Sequence, residues 1–114
     1  MSIDDFLDEQ YDATKNNCGH FVVKVWKYLT NKNISGTCAA FMSGDLSDYK
    51  AQRKKELTHI REPVSPCVVM MQSPHSETHV GIYVFGKVLH LREEGVKYEP
   101  LKMLEPYWRM SYYK

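Results

Sequence analysis

The stretch THVGIYVFGKVLHL, residues 78–91, decides the sheet of this chain. Two short runs rich in β-branched and aromatic residues flank the pair Phe85–Gly86, which is typical of a hairpin with a two-residue turn. In that register His90 faces Gly81, and His79 is the diagonal neighbour of His90 on the same sheet face. The opposite face collects only apolar side chains, namely Val80, Ile82, Val84, Leu89 and Leu91.

Helical patterns precede this hairpin. The main helix is expected from Cys18 to Thr30, with Asn16 or Asn17 as its cap and one apolar stripe along its length. A short helix over Asp4–Gln10 is expected to turn Phe6 and Leu7 inward. The remaining segments are a polar turn over Asn31–Gly36 and an exposed, highly charged helix over Gly44–Leu57.

Strand patterns follow the proline-containing break at residues 62–66. The order of elements, helices first and strands afterwards, predicts an α+β fold in which N-terminal helices pack on an antiparallel meander sheet. The length of 114 residues predicts a single domain over residues 1–114. The strands are expected at Cys67–Gln72, His79–Val84 and Lys87–Leu91, with a weaker fourth at Val96–Leu101 and a fifth at Arg109–Tyr113.

Composition excludes several classes of function. The net charge of +1 gives no electrostatic reason for binding nucleic acid or an anionic membrane. No stretch approaches the roughly 18 apolar residues of a membrane span, so no membrane insertion is expected. The acidic start MSIDDFLDEQ does not resemble a signal peptide. Three cysteines cannot all pair within one chain, and their spacing fits no zinc site, so neither a metal nor another cofactor is expected.

Cys18 stands at the first turn of the main helix, within the stretch NNCGHFVVKVW at residues 16–26. Backbone N–H groups and the helix dipole at this position favour a thiolate, which predicts a pKa below the usual value of about 8.5. The same N–H groups would stabilise the oxyanion formed when the thiolate attacks a carbonyl. Cys38 and Cys67 are expected to be ordinary buried cysteines.

The five histidines divide into a pair and three bystanders. His20 lies roughly 200° around the helix from Cys18 and is expected to be a partly buried packing residue. His59 and His75 lie in polar segments and are expected at the surface. His79 and His90 share a sheet face, so they are the candidates for a base and its orienting partner beside Cys18. A turn one residue longer or shorter would instead turn His90 into the apolar layer.

These two stretches together resemble the NlpC-type cysteine peptidases, which have a papain-like α+β fold. The resemblance covers about residues 11 to 92. It implies that Cys18 is the nucleophile, that His79 is the base and that His90 orients the base. It also suggests Tyr11 as a substrate-binding residue, although the spacing to Cys18 is shorter than in the family.

The chain departs from the usual family pattern, which has Asp-Cys-Ser-Gly where this sequence has Asn17-Cys18-Gly19-His20. The local pattern also resembles the lecithin:retinol acyltransferase-like proteins, but in those the histidine precedes the cysteine. Small NlpC-like proteins of phage tails are similar as well. The resemblance therefore implies a virion location in a phage tail, or the host cytoplasm where the protein is made.

The function expected from the resemblance is a cysteine hydrolase that cleaves amide bonds of peptidoglycan stem peptides. Its partners would be the peptidoglycan peptide and other phage tail proteins. Two alternatives stay open. One is a catalytically silent structural or assembly protein of the tail tip with the same fold, and the other is an acyltransferase or amidase that acts on another acyl substrate.

Overall fold

The computed structural model describes residues 2–75 and 77–114 and has an α+β fold. A 3-10 turn at Asp4–Phe6 opens the chain. The helices are α1 (Cys18–Thr30), α2 (Ser35–Ser43), α3 (Leu46–Glu56) and α4 (Leu101–Leu104), and the strands are β1 (His59–Ile60), β2 (Cys67–Gln72), β3 (Thr78–Val84), β4 (Lys87–Arg92), β5 (Gly95–Pro100) and β6 (Arg109–Tyr113).

Helix α1 begins and ends where the sequence predicts. Asn17 is its cap: the side-chain oxygen accepts a hydrogen bond from the His20 N–H at 3.0 Å, and the Asn17 N–H donates to His20 Nδ1 at 3.2 Å. The prediction of a partly buried packing role for His20 is therefore wrong, because this histidine is exposed and closes the helix start. The apolar stripe is buried at Phe21, Val22, Val25 and Trp26.

The other helical predictions hold only in part. The first segment forms one 3-10 turn, and Leu7 is exposed while Phe6 packs against the core. Helix α3 is mostly exposed and has no buried residue, although Tyr49 packs against the main core, and Asp45 caps its start. Helix α2 was not predicted, and it buries the small or aromatic side chains Thr37, Cys38, Ala40 and Phe41.

The six strands form one antiparallel sheet in the order β1-β6-β2-β3-β4-β5. A meander is therefore correct only for β2 to β5, because β6 returns to pair with the other side of β2. The predicted hairpin register is confirmed by the pairs Ile82–Leu89 and Val84–Lys87. Phe85 and Gly86 form its turn, and both have positive φ angles (53° and 88°).

Both faces of the sheet are covered. Helix α1 packs on the face that carries Val80, Ile82 and Leu89, which join the main core. The opposite face has a smaller core, formed by Val69, Met71 and Val88 under residues of the segment from α4 to β6. His79 pairs with Met71 across β3 and β2, so the histidines belong to this second face.

Candidate active site

Cys18, in the core of the first sheet face, and His79, on the second face, approach the same end of the sheet, where β3 begins, β4 ends and helix α1 starts. A cavity of about 150 Å³ opens there. Tyr11, Cys18 and His79, three of the four predicted site residues, all line it. The remaining lining residues are Met42, Glu77, Thr78, Leu91, Arg92, Glu93 and Trp108.

His79 and His90 are joined directly, which confirms that they share a sheet face. His79 Nε2 lies 2.7 Å from His90 Nδ1, and the ring planes stand 74° apart. Gly81 permits this approach: a Cβ atom there would lie 2.9 Å from Val88 Cγ1 and 3.1 Å from His90 Cβ. The position opposite His90 therefore needs glycine for reasons of space.

Glu99 extends the pair and was missed in the sequence. His90 Nε2 lies 2.9 Å from Glu99 Oε1, in a contact that leaves the histidine fully buried. Strands β4 and β5 place it there, because Glu99 faces Val88 and is thus diagonal to His90. The signal was available in the pair Glu93–Glu94, which forms a second two-residue turn and fixes this register.

The Glu99 carboxylate determines which nitrogens of His90 and His79 carry a proton. A carboxylate only accepts hydrogen bonds, so His90 Nε2 must carry the proton that it donates to Glu99. In neutral His90 the Nδ1 atom is then an acceptor, and it takes the proton donated by His79 Nε2. His79 Nδ1 is consequently left with a free lone pair. Among the ring nitrogens of His79 and His90, His79 Nδ1 is therefore the one that can act as a base.

Cys18 has surroundings that the helix position alone did not predict. Its side chain is only 5% exposed, and Sγ lies 3.6 Å from Met42 Sδ. Burial raises the pKa of the Cys18 thiol, and the hydrogen bonds from the N–H groups of Val80, Gly19 and Cys18 itself oppose this only in part. The prediction of a lowered pKa is therefore wrong. Desolvation raises the thiol pKa by more than the N–H groups at the helix start lower it.

The same burial acts on the histidines in the opposite direction. Burial, together with the smaller effects of the charges of His90 and Arg92, lowers the pKa of His79 to about 3. Burial also lowers the pKa of His90, although the hydrogen bond and the charge of Glu99 oppose this. A buried neutral thiol and a buried neutral imidazole are thus the resting forms at neutral pH. No hydrogen bond joins Cys18 to His79 among the residues that the structure describes.

Trp108 and Arg92 form the outer wall of the cavity. The Trp108 ring lies 5.7 Å from the His79 ring at a tilt of 33°, and the Arg92 guanidinium lies 5.8 Å from the centre of the Trp108 ring. Both lie at strand ends or in loops that no sequence pattern assigned to the site. Arg92 is the last residue of β4, two positions beyond His90.

Three of the four ring nitrogens of His79 and His90 are used in the contacts with each other and with Glu99. Within residues 2–75 and 77–114, no three His, Cys, Asp or Glu side chains are grouped as a metal site requires.

Comparison with known proteins identifies no relative: no protein-family model, curated protein or solved structure matches this chain. In the described part of the chain, none of the helices has the length and apolar character needed to cross a membrane.

Proposed function

We propose that this protein is a cysteine hydrolase of the NlpC type, with a papain-like fold, that cleaves amide bonds of peptidoglycan stem peptides. The observation that carries the hydrolase proposal is the hydrogen-bonded chain from Glu99 through His90 to His79, which ends at a cavity that Cys18 also lines. A carboxylate, two imidazoles and a thiol in this order supply a nucleophile, a base and a means of orienting the base.

The reaction follows from the protonation states. As Cys18 Sγ attacks the carbonyl carbon, its proton passes to His79 Nδ1, and the N–H groups at the helix start stabilise the oxyanion. The C–N bond then breaks, and His79 returns the proton to the leaving amine. Water hydrolyses the thioester with His79 again acting as the base. The Cys18 thiol and the His79 imidazole are both neutral at rest, so charge develops only during attack. The hydrogen bond to His90 and the negative charge of Glu99 then stabilise the His79 imidazolium.

The substrate and setting rest on the sequence resemblance. The resemblance to NlpC-type peptidases supports a peptidoglycan stem peptide as the substrate, with Tyr11 as a substrate-binding residue. The likeness to small phage-tail proteins supports a role in a virion beside other tail proteins. Tyr11 lines the cavity with Cys18 and His79, which supports its proposed role in substrate binding. Acyl transfer to an acceptor other than water would use the same thiol, the same two histidines and Glu99.

One observation favours a second candidate, a catalytically silent tail-tip protein with this fold. Cys18 is buried, and its sulfur packs against Met42 rather than forming a hydrogen bond with His79. A scaffold that has lost turnover could retain this packing. In an active enzyme the Met42 side chain must move aside when substrate enters, and methionine has the rotational freedom to do so.

The test is digestion of purified muropeptides followed by mass spectrometry. Wild type should release cleaved peptides, whereas Cys18→Ala and His79→Ala should each lose roughly 10⁴-fold or more in rate, and their combination little more than either alone. Glu99→Gln keeps an acceptor oxygen without the charge, and we expect a smaller loss of roughly 10-fold. Cys67→Ala, which removes a buried thiol from the second core, is the matched control and should keep its turnover per folded molecule.

Each outcome distinguishes the candidates. Residual turnover in Cys18→Ala, or losses that add up in the double variant, would refute the assignment of Cys18 as the nucleophile. A wild-type protein that releases no product from any muropeptide, while remaining folded by circular dichroism, would favour the silent tail-tip protein.

A further inference from the structure

A second concave surface lies over the segment from α4 to β6, on the outer side of the catalytic cavity. It consists of two hollows of about 560 and 670 Å³, volumes within the range of roughly 300–1,000 Å³ that is typical of ligand sites. Both hollows are lined by Ser73, Pro74, Pro106, Tyr107 and Trp108, and we call them together the aromatic groove. Cys18 and His79 line the catalytic cavity but neither hollow, so the proposed reaction does not use this groove.

The Tyr107 ring is presented to solvent from a fixed backbone. The N–H groups of Tyr107 and Trp108 both donate to the carbonyl oxygen of Leu104, at 3.0 and 3.2 Å, and Leu104 is buried in the second core. The Tyr107 side chain is nevertheless 70% exposed, and Met103, which lines the larger hollow, is 59% exposed. Two large apolar side chains left in water within one groove indicate a binding surface. A ring on a fixed backbone also loses little conformational freedom when a ligand packs on it.

Polar side chains stand beside these apolar ones. Ser73 Oγ accepts hydrogen bonds from the N–H groups of His75 and Glu77, at 3.2 and 3.1 Å, so the Ser73 O–H remains available to donate. Gln72 and Arg109 are cross-strand partners where β2 ends and β6 begins, and both line the smaller hollow. Their amide and guanidinium groups supply several donors and one acceptor. The groove therefore combines an apolar surface with hydrogen-bonding groups at its edge.

The charges around the groove balance. The acidic side chains that line it are Glu77, Glu99 and Glu105, and the arginine and lysine side chains are Arg92, Lys97 and Arg109. A site for nucleic acid or another polyanion would have an excess of lysine and arginine, and a site for a cation would have an excess of carboxylates. The balance favours an uncharged ligand that has both an apolar face and hydrogen-bonding edges.

We propose that the aromatic groove binds an uncharged oligosaccharide, with one pyranose ring stacked on Tyr107. One face of a pyranose ring carries C–H groups, which pack on the electron-rich face of an aromatic ring. Its hydroxyl groups point outward from the ring edge, where Ser73, Gln72 and Arg109 can bond them. The inference goes beyond the proposed hydrolysis and does not depend on it. Since Trp108 lines both the groove and the catalytic cavity, a bound sugar would lie next to that cavity.

A proline-rich peptide is the competing occupant, because such peptides also bind grooves lined by aromatic rings. They pack between several exposed rings. Here the Trp108 ring lies against His79, 5.7 Å away at a tilt of 33°, which leaves Tyr107 as the exposed platform among the described aromatic residues of the groove. A single platform with polar neighbours favours the sugar.

The probes are chitotetraose and cellotetraose, which are uncharged chains of N-acetylglucosamine and of glucose. Their dissociation constants are measured by calorimetry on the full chain, and at least one of them should be about 1 mM or lower. Tyr107→Ala removes the platform and should weaken this binding about 10-fold or more. Tyr107→Phe keeps the ring face and should stay within about 3-fold of wild type.

Gln72→Ala removes a hydrogen-bonding side chain but not the platform, so binding should weaken by about 3- to 10-fold. The matched control is Phe85→Ala, which removes an exposed aromatic ring from the β3–β4 turn, outside the groove. This variant should bind within about 2-fold of wild type. Circular dichroism establishes that each variant is folded before its binding is compared.

Three results would overturn the inference. They are a wild type that binds neither sugar, sugar binding that Tyr107→Ala leaves unchanged, and tighter binding of a polyproline peptide that is lost in Tyr107→Ala. Catalysis is a separate readout. Muropeptide cleavage by a wild type that binds neither sugar would refute this inference alone, whereas Tyr107-dependent sugar binding by a wild type that cleaves nothing would support the site and refute the hydrolase.

Discussion

At the scale of the single residue, the Cys18 thiol illustrates how two effects compete at a helix start. Directed N–H groups favour the thiolate, but removal of the sulfur from water disfavours it, and the second effect is the larger here. The proposed nucleophile is thus a neutral thiol until a substrate arrives. A base with a free lone pair is then more important than a low thiol pKa.

The alkylation of Cys18 by iodoacetamide should therefore follow a simple pH profile. Because burial raises the thiol pKa, the labelling rate should keep rising through pH 9 without a plateau near neutrality. Peptide mapping after brief labelling at each pH measures this for Cys18 separately from Cys38, whose pKa burial raises to about 12. A plateau at pH 6–7 that disappears in His79→Ala would instead show a thiolate paired with a charged imidazole.

At the scale of the element, the β3–β4 hairpin carries strain in its turn. Phe85 has a φ of 53°, a left-handed conformation that costs an ordinary L-residue about 1 kcal/mol, and its side chain is 59% exposed. Asparagine tolerates this conformation better and is preferred before glycine in such turns. Phe85→Asn should therefore raise the free energy of unfolding by about 0.5–1 kcal/mol.

Urea unfolding of Phe85→Asn beside Phe85→Ala measures the backbone effect. Alanine removes the same exposed ring without gaining tolerance of the left-handed region, so this control should not be stabilised. If the two variants gained equally, the effect would come from loss of the exposed ring, and the strain assigned to Phe85 would be wrong.

The hairpin was predictable because its two-residue turn and its alternating apolar pattern both fix the register. That register alone brought His79 and His90 together. Glu99 was missed because only strand β5 was predicted and not its pairing with β4. Helix α2 was missed because its exposed positions, Ser35, Ala39 and Ser43, have small side chains that differ little in polarity from the buried Thr37, Cys38 and Ala40, so the stretch shows no clear helical alternation.

At the scale of the whole molecule, the burial of the histidine pair depends on residues far apart in the chain. Strand β6 returns across the sheet to β2, and the segment before it brings Leu104 and Trp108 over the second face. No local pattern specifies this return, since strand order is set by tertiary pairing. The low pKa of His79 is thus a property of the complete sheet and its cover.

This burial makes stability depend on pH. His79 has a pKa of about 3 in the folded protein and about 6.5 when unfolded, so between these values the unfolded chain binds more protons. The stabilisation is complete above about pH 6.5 and is lost as the pH falls towards 3. The slope due to His79 approaches about 1.4 kcal/mol per pH unit as the pH falls below 6.5, which amounts to roughly 2 kcal/mol between pH 6.5 and 5.

Urea unfolding at pH 7, 6 and 5 tests this prediction, because most carboxylates titrate below that range. His59→Asn removes an exposed histidine and should keep the wild-type slope. His79→Asn should flatten the mean slope between pH 7 and pH 5 by about 1 kcal/mol per pH unit, even if the variant is less stable at pH 7, since slope and absolute stability are independent readouts. A wild-type slope near zero would mean that the histidine pair takes up a proton inside the folded protein. Glu99 would then hold an imidazolium, and the neutral base proposed for His79 would be wrong.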